Sequence, residues 1–108
     1  MDKLYIVKSC GNEYDDLGYD PPYPIYYSLN KDNARSYFEK LRDEDKKHLN
    51  DFLEKYPQYK DNEDYQITED TENRFEYGMG KWFYVLEFEE VILENDLRYE
   101  NKSIKSNS

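Results

Sequence analysis

The clearest structural pattern in this chain of 108 residues is the stretch Trp82-Phe83-Tyr84-Val85-Leu86-Glu87-Phe88-Glu89. Side chains alternate between opposite faces of a β-strand, so this stretch presents two different faces. One face carries only large apolar or aromatic side chains (Trp82, Tyr84, Leu86 and Phe88), and the other carries Phe83, Val85, Glu87 and Glu89. The pattern predicts a long strand with its first face in the core and its glutamates near solvent.

Other strands are predicted on both sides of a helical region. Residues 3–9 begin with apolar and β-forming side chains, and residues 24–29 are typical of a second strand after a proline-rich loop. Residues 64–70 indicate a short polar strand. Residues 74–77 and 81–84 flank the run Gly78-Met79-Gly80, which predicts a hairpin because glycine tolerates a positive φ.

Apolar residues recur at helical spacing between positions 34 and 56, and Pro57 ends this region. The run Asp43-Glu44-Asp45 interrupts the apolar stripe, which leaves two alternatives open. Either one long helix continues through it, or the helix breaks and Asp43 caps a second helix of residues 44–56. The apolar stripe should pack on the first face of the long strand through Phe38, Leu41, Leu49, Phe52 and Leu53.

The order of elements, β-β-α(α)-β-β-β, predicts an α+β fold. We expect a small antiparallel sheet of four to five strands, with one long helix or a broken helix pair packed on one face. Residues 1–96 should form a single domain, and residues 97–108 a flexible C-terminal tail.

The charge balance excludes several classes of partner. The chain has 25 acidic and 15 basic residues, which gives a net charge of −10, and a pI of about 4.5. A protein with this charge is repelled by phosphate backbones and anionic lipids, so direct binding to nucleic acid or to a membrane surface is disfavoured. The aromatic content of 18%, with 13 tyrosines, nevertheless predicts a folded chain, because disordered chains are poor in aromatic residues.

Candidate catalytic and metal-binding motifs are incomplete. Cys10 and His48 are the only residues of their types, so a zinc site with nitrogen and sulfur ligands cannot be assembled within one chain. The segment at 61–66 begins like a calcium-binding loop, but Tyr65 and Gln66 occupy positions that require a ligand and a glycine. We therefore expect no cofactor, no metal and no enzymatic activity. The single cysteine and the lack of a signal-like or membrane-spanning apolar run favour the cytoplasm.

The negative charge is concentrated outside the helical region. Residues 31–55 are neutral overall, whereas residues 56–96 carry −9. Carboxylates two residues apart on a strand stand about 6.5–7 Å apart, a spacing comparable to that of successive phosphates, and tyrosines between them can stack on arginine or fill pockets. The predicted partner-binding surface comprises Tyr14, Asp15, Asp16, Tyr19, Glu63, Asp64, Tyr65, Glu69, Asp70, Glu72, Glu76, Tyr77, Glu87, Glu89 and Glu90.

The layout resembles small acidic proteins encoded by phages of low-GC Gram-positive bacteria. The opening Leu4-Tyr5-Ile6-Val7, a helix starting near Asn33-Ala34-Arg35 and the closing aromatic and acidic strand carry this resemblance, which covers the organisation of residues 1–95. Inhibitors of host defence, anti-CRISPR proteins among them, share this size, acidity and low cysteine content. The resemblance implies a stoichiometric inhibitor of a nucleic-acid-handling defence enzyme, a CRISPR effector first, that occupies a basic groove or blocks a moving domain.

Several alternatives remain open at this level. An immunity protein that neutralises a basic toxin nuclease would have the same acidic surface. A virion assembly component would self-associate stably. A small enzyme would have to use the loop of residues 13–27, and an acidic surface can also serve solubility alone.

Overall fold

A computed structural model describes residues 2–14 and 18–93. Asp15, Asp16 and the predicted tail of residues 97–108 lie outside the described residues. The strands are β1 (Asp2–Glu13), β2 (Tyr23–Ser28), β3 (Ile67–Asp70), β4 (Arg74–Met79) and β5 (Trp82–Leu93), and the helix is α1 (Lys31–Lys55). Short 3₁₀ turns at Pro57–Tyr59 and Glu63–Tyr65 connect α1 to β3.

Within the described residues, the strands form one five-stranded antiparallel sheet in the order β2-β1-β5-β4-β3. The central strands β1 and β5 pair along their whole length, from Asp2 opposite Leu93 to Glu13 opposite Trp82. Residues of α1 pack on one face of this sheet. The predicted α+β fold with an antiparallel sheet and helical packing on one face is confirmed.

The alternative of a broken helix pair is wrong, because α1 is one continuous helix. It begins after Asn30, whose side-chain oxygen accepts a hydrogen bond from the backbone N–H of Asn33 at 2.9 Å. Asp45 lies four residues from both Leu41 and Leu49, so it occupies the same helical face as those core residues. Its carboxylate is close enough to the Tyr77 hydroxyl for its charge to raise the pKa of that tyrosine, after the larger effect of burial. The helix thus continues through an acidic residue on its packed face, and burial of that carboxylate raises its pKa from 3.8 to about 6.

The core follows the predicted packing for most of β5. Leu86 and Phe88 are buried against Phe38 and Leu49 of α1, together with Val7 of β1. Three further residues, Tyr84, Leu41 and Leu53, pack at the edge of this cluster.

Two members of the predicted core lie elsewhere. Trp82 is 43% exposed, because it occupies the last row of the sheet beside the β4–β5 turn. Phe52 is only partly buried and packs against the 3₁₀ turns, with its ring stacked on Tyr65 at a centroid distance of 5.2 Å. We call Phe52, Tyr56, Tyr59 and Tyr65 the aromatic cluster; their ring contacts join the end of α1 to the turns that precede β3.

Candidate protein-binding surface

The face of the sheet opposite α1 gathers several of the predicted acidic residues. The register aligns Lys8, Glu87 and Arg74 in one row across β1, β5 and β4. The next rows hold Glu89 on one side and Glu76 with Glu69 on the other. We call this group the acidic sheet face; its members are Lys8, Glu69, Arg74, Glu76, Glu87 and Glu89.

Arg74 fixes three of these carboxylates in place. Its Nη1 lies 2.6 Å from Glu69 Oε1 and 3.1 Å from Glu76 Oε1, and its Nε donates to Glu87 Oε2 at 3.0 Å. Partial burial opposes the charged form of Arg74, but the hydrogen bonds to Glu69 and Glu87 outweigh it and raise the pKa of the guanidinium. Arg74 therefore brings the three carboxylates together around one guanidinium.

Lys8 plays the same part for Glu89. Its Nζ lies 2.5 Å from Glu89 Oε1, and this hydrogen bond raises the pKa of Lys8. The acidic sheet face holds four carboxylates against two cations, so it remains negative overall. Cys10 and Val85 are also buried on this face, over which none of the described residues forms a helix.

A second group of predicted residues meets at the β4–β5 turn. Here a surface pocket of about 470 Å³ brings together Tyr14, Asp64 and Tyr65 from two distant parts of the sequence. We call it the turn-end pocket; its lining residues are Tyr14, Tyr59, Asn62, Asp64, Tyr65, Gly80 and Lys81. Glu63, beside Asp64, is exposed at the same end of the sheet.

Two glycines allow the 3₁₀ turn to approach β4 this closely. Gly80 has a φ of 71°, and its N–H donates to the Asp64 carbonyl at 3.0 Å. A Cβ atom at Gly78 would lie 2.8 Å from the same carbonyl oxygen and 3.3 Å from the Tyr14 hydroxyl. The predicted hairpin turn is therefore shorter than the run Gly78-Met79-Gly80, because Gly78 belongs to β4. The absence of a side chain at Gly78 lets the Asp64 backbone, which lines the pocket, lie close to this strand.

Tyr14 connects the two groups into one surface. Its ring packs on Phe83 at a centroid distance of 4.9 Å, and its N–H donates to the Lys81 carbonyl at 2.8 Å. Burial raises the pKa of its hydroxyl, and so do the nearby charges of Glu76 and Asp64. Since these two residues belong to the acidic sheet face and the turn-end pocket respectively, the Tyr14 hydroxyl lies between them.

Tyr19 extends this surface along the same edge. Its ring meets Phe83 edge-on at 5.2 Å, and its hydroxyl donates to the Tyr14 carbonyl at 2.6 Å. Asn12 holds the start of the following segment, because its side chain exchanges hydrogen bonds with the backbone of Asp20. Tyr14 and Tyr19 are both exposed while their rings pack against the sheet, so they offer aromatic surface with little freedom to lose on binding.

Four of the predicted residues lie away from this surface. Tyr77 is only 4% exposed and belongs to the core, so its assignment to the binding surface is corrected. Glu90 alternates with Glu89 and thus lies on the helix side, where it pairs with Lys3 at 3.2 Å. On the same side, Asp70 pairs with Lys46 of α1, and Glu72 lies beside Arg35.

Sequence reasoning missed the basic members of the surface, Lys8, Arg74 and Lys81. Each is an isolated cation in an acidic or apolar segment, and its immediate neighbours in the sequence do not indicate which residues it lies beside in the folded chain. Arg74 contacts Glu87 because the β4–β5 register places them opposite each other. The one available signal was that Arg74 stands thirteen residues before Glu87 across a predicted hairpin.

Three features of the described residues concern metal-binding clusters, membrane-spanning helices and the single cysteine. They contain no cluster of three or more His, Cys, Asp or Glu side chains suited to a metal ion. None of the helices in the described ranges has the length and apolarity needed to cross a membrane. Burial raises the pKa of the Cys10 thiol, which makes it a weak nucleophile. Comparison of the chain with family models, curated proteins and solved structures finds no match.

Proposed function

We propose that this chain is a stoichiometric protein inhibitor of a nucleic-acid-handling host defence enzyme, a CRISPR effector first, in the cytoplasm of a phage-infected cell. It would bind through the surface formed by the acidic sheet face and the residues around the turn-end pocket. This surface would occupy a basic groove of the enzyme. The observation that carries this proposal is the convergence of four glutamates on the sheet face opposite α1, which continues into exposed tyrosines and Asp64.

The ion pairs of this face favour recognition by a basic partner. Arg74 and Lys8 hold the carboxylates in place, so little side-chain entropy is lost when a partner binds them. Two carboxylates remain in excess over the cations, and arginine or lysine side chains of a partner can share the outer oxygens. Negative charge of this kind also steers a basic groove toward the surface and speeds the encounter.

The turn end offers the sharpest test by mutation. Glu63 and Asp64 are exposed, and neither lies within 4.0 Å of a Lys or Arg nitrogen in the described part of the chain. Their reversal therefore removes accessible charge without breaking an ion pair. Reversal of Glu87 would instead place a second cation beside Arg74 and would test stability rather than binding.

The experiment begins with capture of the partner from a host lysate, followed by association kinetics at increasing salt. We expect Glu63→Lys with Asp64→Lys to slow association by about tenfold at low salt. The matched control is Glu39→Lys with Glu44→Lys, which makes the same change in net charge on exposed positions of α1. If total charge alone mattered, the two double variants would bind equally slowly.

Competition with nucleic acid tests the mode of inhibition. Binding to a basic groove should weaken as salt screens the charges within about 8–10 Å, and guide RNA or target DNA loaded beforehand should compete. Binding that ignores both salt and nucleic acid would contradict this proposal and would indicate an apolar interface that blocks a conformational step. Capture of a toxin nuclease in place of a defence enzyme would identify an immunity protein instead.

A further inference from the structure

The edge strand β2 differs in composition from the rest of this highly charged chain. Residues 21–30 form a run of ten without a charged side chain, although 37% of all residues are charged. This run contains the whole of β2 and the residue Leu29 that follows it. Its side chains are also unusually exposed for their size: Tyr23, Ile25 and Tyr27 are exposed, and Leu29 is 70% exposed.

The two edges of the sheet are protected to different degrees. Sheet edges present unpaired backbone groups, and proteins usually guard them with charges, short strands or proline. The β3 edge is only four residues long and carries Glu69 and Asp70, which pair with Arg74 and Lys46. The β2 edge has six residues and no charge, and Pro24 together with a bulge at Ile25 restricts its N-terminal half only.

We propose that β2 is a self-association edge, through which two copies of this chain pair their β2 strands antiparallel about a two-fold axis. Pro24 has no backbone N–H, so the pairing would involve residues 25–29. The apolar side chains of one copy would then contact those of the other, as an isologous interface requires. This proposal does not depend on the proposed inhibitory function.

The charge distribution permits this pairing despite a net charge of −10. The glutamates of the acidic sheet face lie on β3, β4 and β5, at least two strands away from β2. With strands about 4.8 Å apart, the nearest such carboxylates of two paired copies are separated by roughly 24 Å, well beyond a Debye length of about 8 Å. A basic partner strand is less suitable here, because β2 offers it no carboxylate.

The size of the edge sets the expected affinity. With about 150–250 Å² for each large side chain, the exposed parts of Ile25, Tyr27 and Leu29 contribute on the order of 250–400 Å² per copy. This is below the roughly 800 Å² per partner of a standard stable interface. We therefore expect a weak dimer with a dissociation constant of about 10–100 µM.

The dimer geometry has a consequence for the other face of the sheet. A two-fold axis that relates antiparallel edge strands stands perpendicular to the sheet, so both copies keep the same face upward. The two helices would lie on one side of a ten-stranded sheet, and the two acidic sheet faces on the other.

Sedimentation equilibrium of the full chain between about 5 and 500 µM tests this proposal. We expect the average mass to rise with concentration for the wild type. Ile25→Lys should weaken the dimer at least tenfold, whereas Ile67→Lys should leave it unchanged. Ile67 is the matched control because it lies on the opposite edge strand with an exposure of 41%, against 38% for Ile25. Above physiological ionic strength, added salt should change the dimer little, because these carboxylates already lie beyond a Debye length of each other, whereas it should weaken binding to a basic partner.

Hydrogen exchange provides a second measurement that needs no variant. Amides between residues 25 and 29 should gain protection as concentration increases, while those of β3 should not. A monomer at about 500 µM overturns the proposal. A dimer that is equally sensitive to Ile25→Lys and Ile67→Lys, or whose protection falls outside β2, overturns it as well.

Discussion

Replacement of Asp45 by asparagine should stabilise this protein at neutral pH. The carboxylate lies on the sheet-facing side of α1, and burial raises its pKa from 3.8 to about 6. The charges of the neighbouring His48 and Glu44 change this pKa in opposite directions and by less. Across the interface, Tyr77 is the group whose pKa the Asp45 charge raises further.

The sign and size of the effect follow from proton linkage. Above pH 6 the carboxylate is ionised in both the folded and the unfolded chain, and the folded state carries the full cost of burying the charge. As the pH falls from 6 to 3.8, the folded state takes up the proton first, so this cost disappears. The pKa difference corresponds to at most about 3 kcal/mol, and solvent screening at this half-buried position reduces it to about 1–2 kcal/mol.

Urea unfolding of the wild type and Asp45→Asn at several pH values measures this directly. At pH 7 the variant should be more stable by about 1–2 kcal/mol, equivalent to about 5–10 °C in Tm. Near pH 4 the two proteins should have nearly equal free energies of unfolding. Asp43→Asn, at an exposed position of the same helix, is the control and should change little at either pH. A variant that is less stable than the wild type at pH 7 would refute this reasoning, since it would show that the ionised carboxylate makes a favourable contact.

Two further predictions concern the aromatic cluster and the acidic sheet face. Phe52→Ala should lower the free energy of unfolding by about 2 kcal/mol, because a half-buried ring that contacts Tyr65 is lost; thermal melting checks this, and an unchanged Tm would mean that the cluster does not support the fold. Arg74→Met should cost about 1–2 kcal/mol at pH 7 by leaving Glu69 and Glu87 without their cation. Since protonation removes the repulsion between those carboxylates, the loss should shrink toward pH 4, and an equal loss at both pH values would contradict the electrostatic explanation.

Charge was predictable from the sequence in amount but not in arrangement. The excess of carboxylates in residues 56–96 correctly indicated acidic surface on β5, and Glu87 and Glu89 do share the face opposite α1. The assignment of Glu90 to the same surface as Glu89 was wrong, because strand alternation places Glu90 on the helix side, where it pairs with Lys3. The sequence also did not show that Tyr77 is buried, because a tyrosine is compatible with both a core and a binding surface.

Local periodicity by itself determined the long strand and the helical region of this protein. The period of two in residues 82–88 and the helical stripe of residues 34–56 specify a strand and a helix, because each pattern depends only on neighbours along the chain. The tertiary structure alone decided which distant groups meet. Arg74 binds Glu87, and Asp45 replaces an apolar residue opposite Tyr77, because strand register and helix packing bring them together across long sequence separations. The same packing sets Tyr14 between Glu76 and Asp64, and so joins an acidic face to a tyrosine-lined pocket.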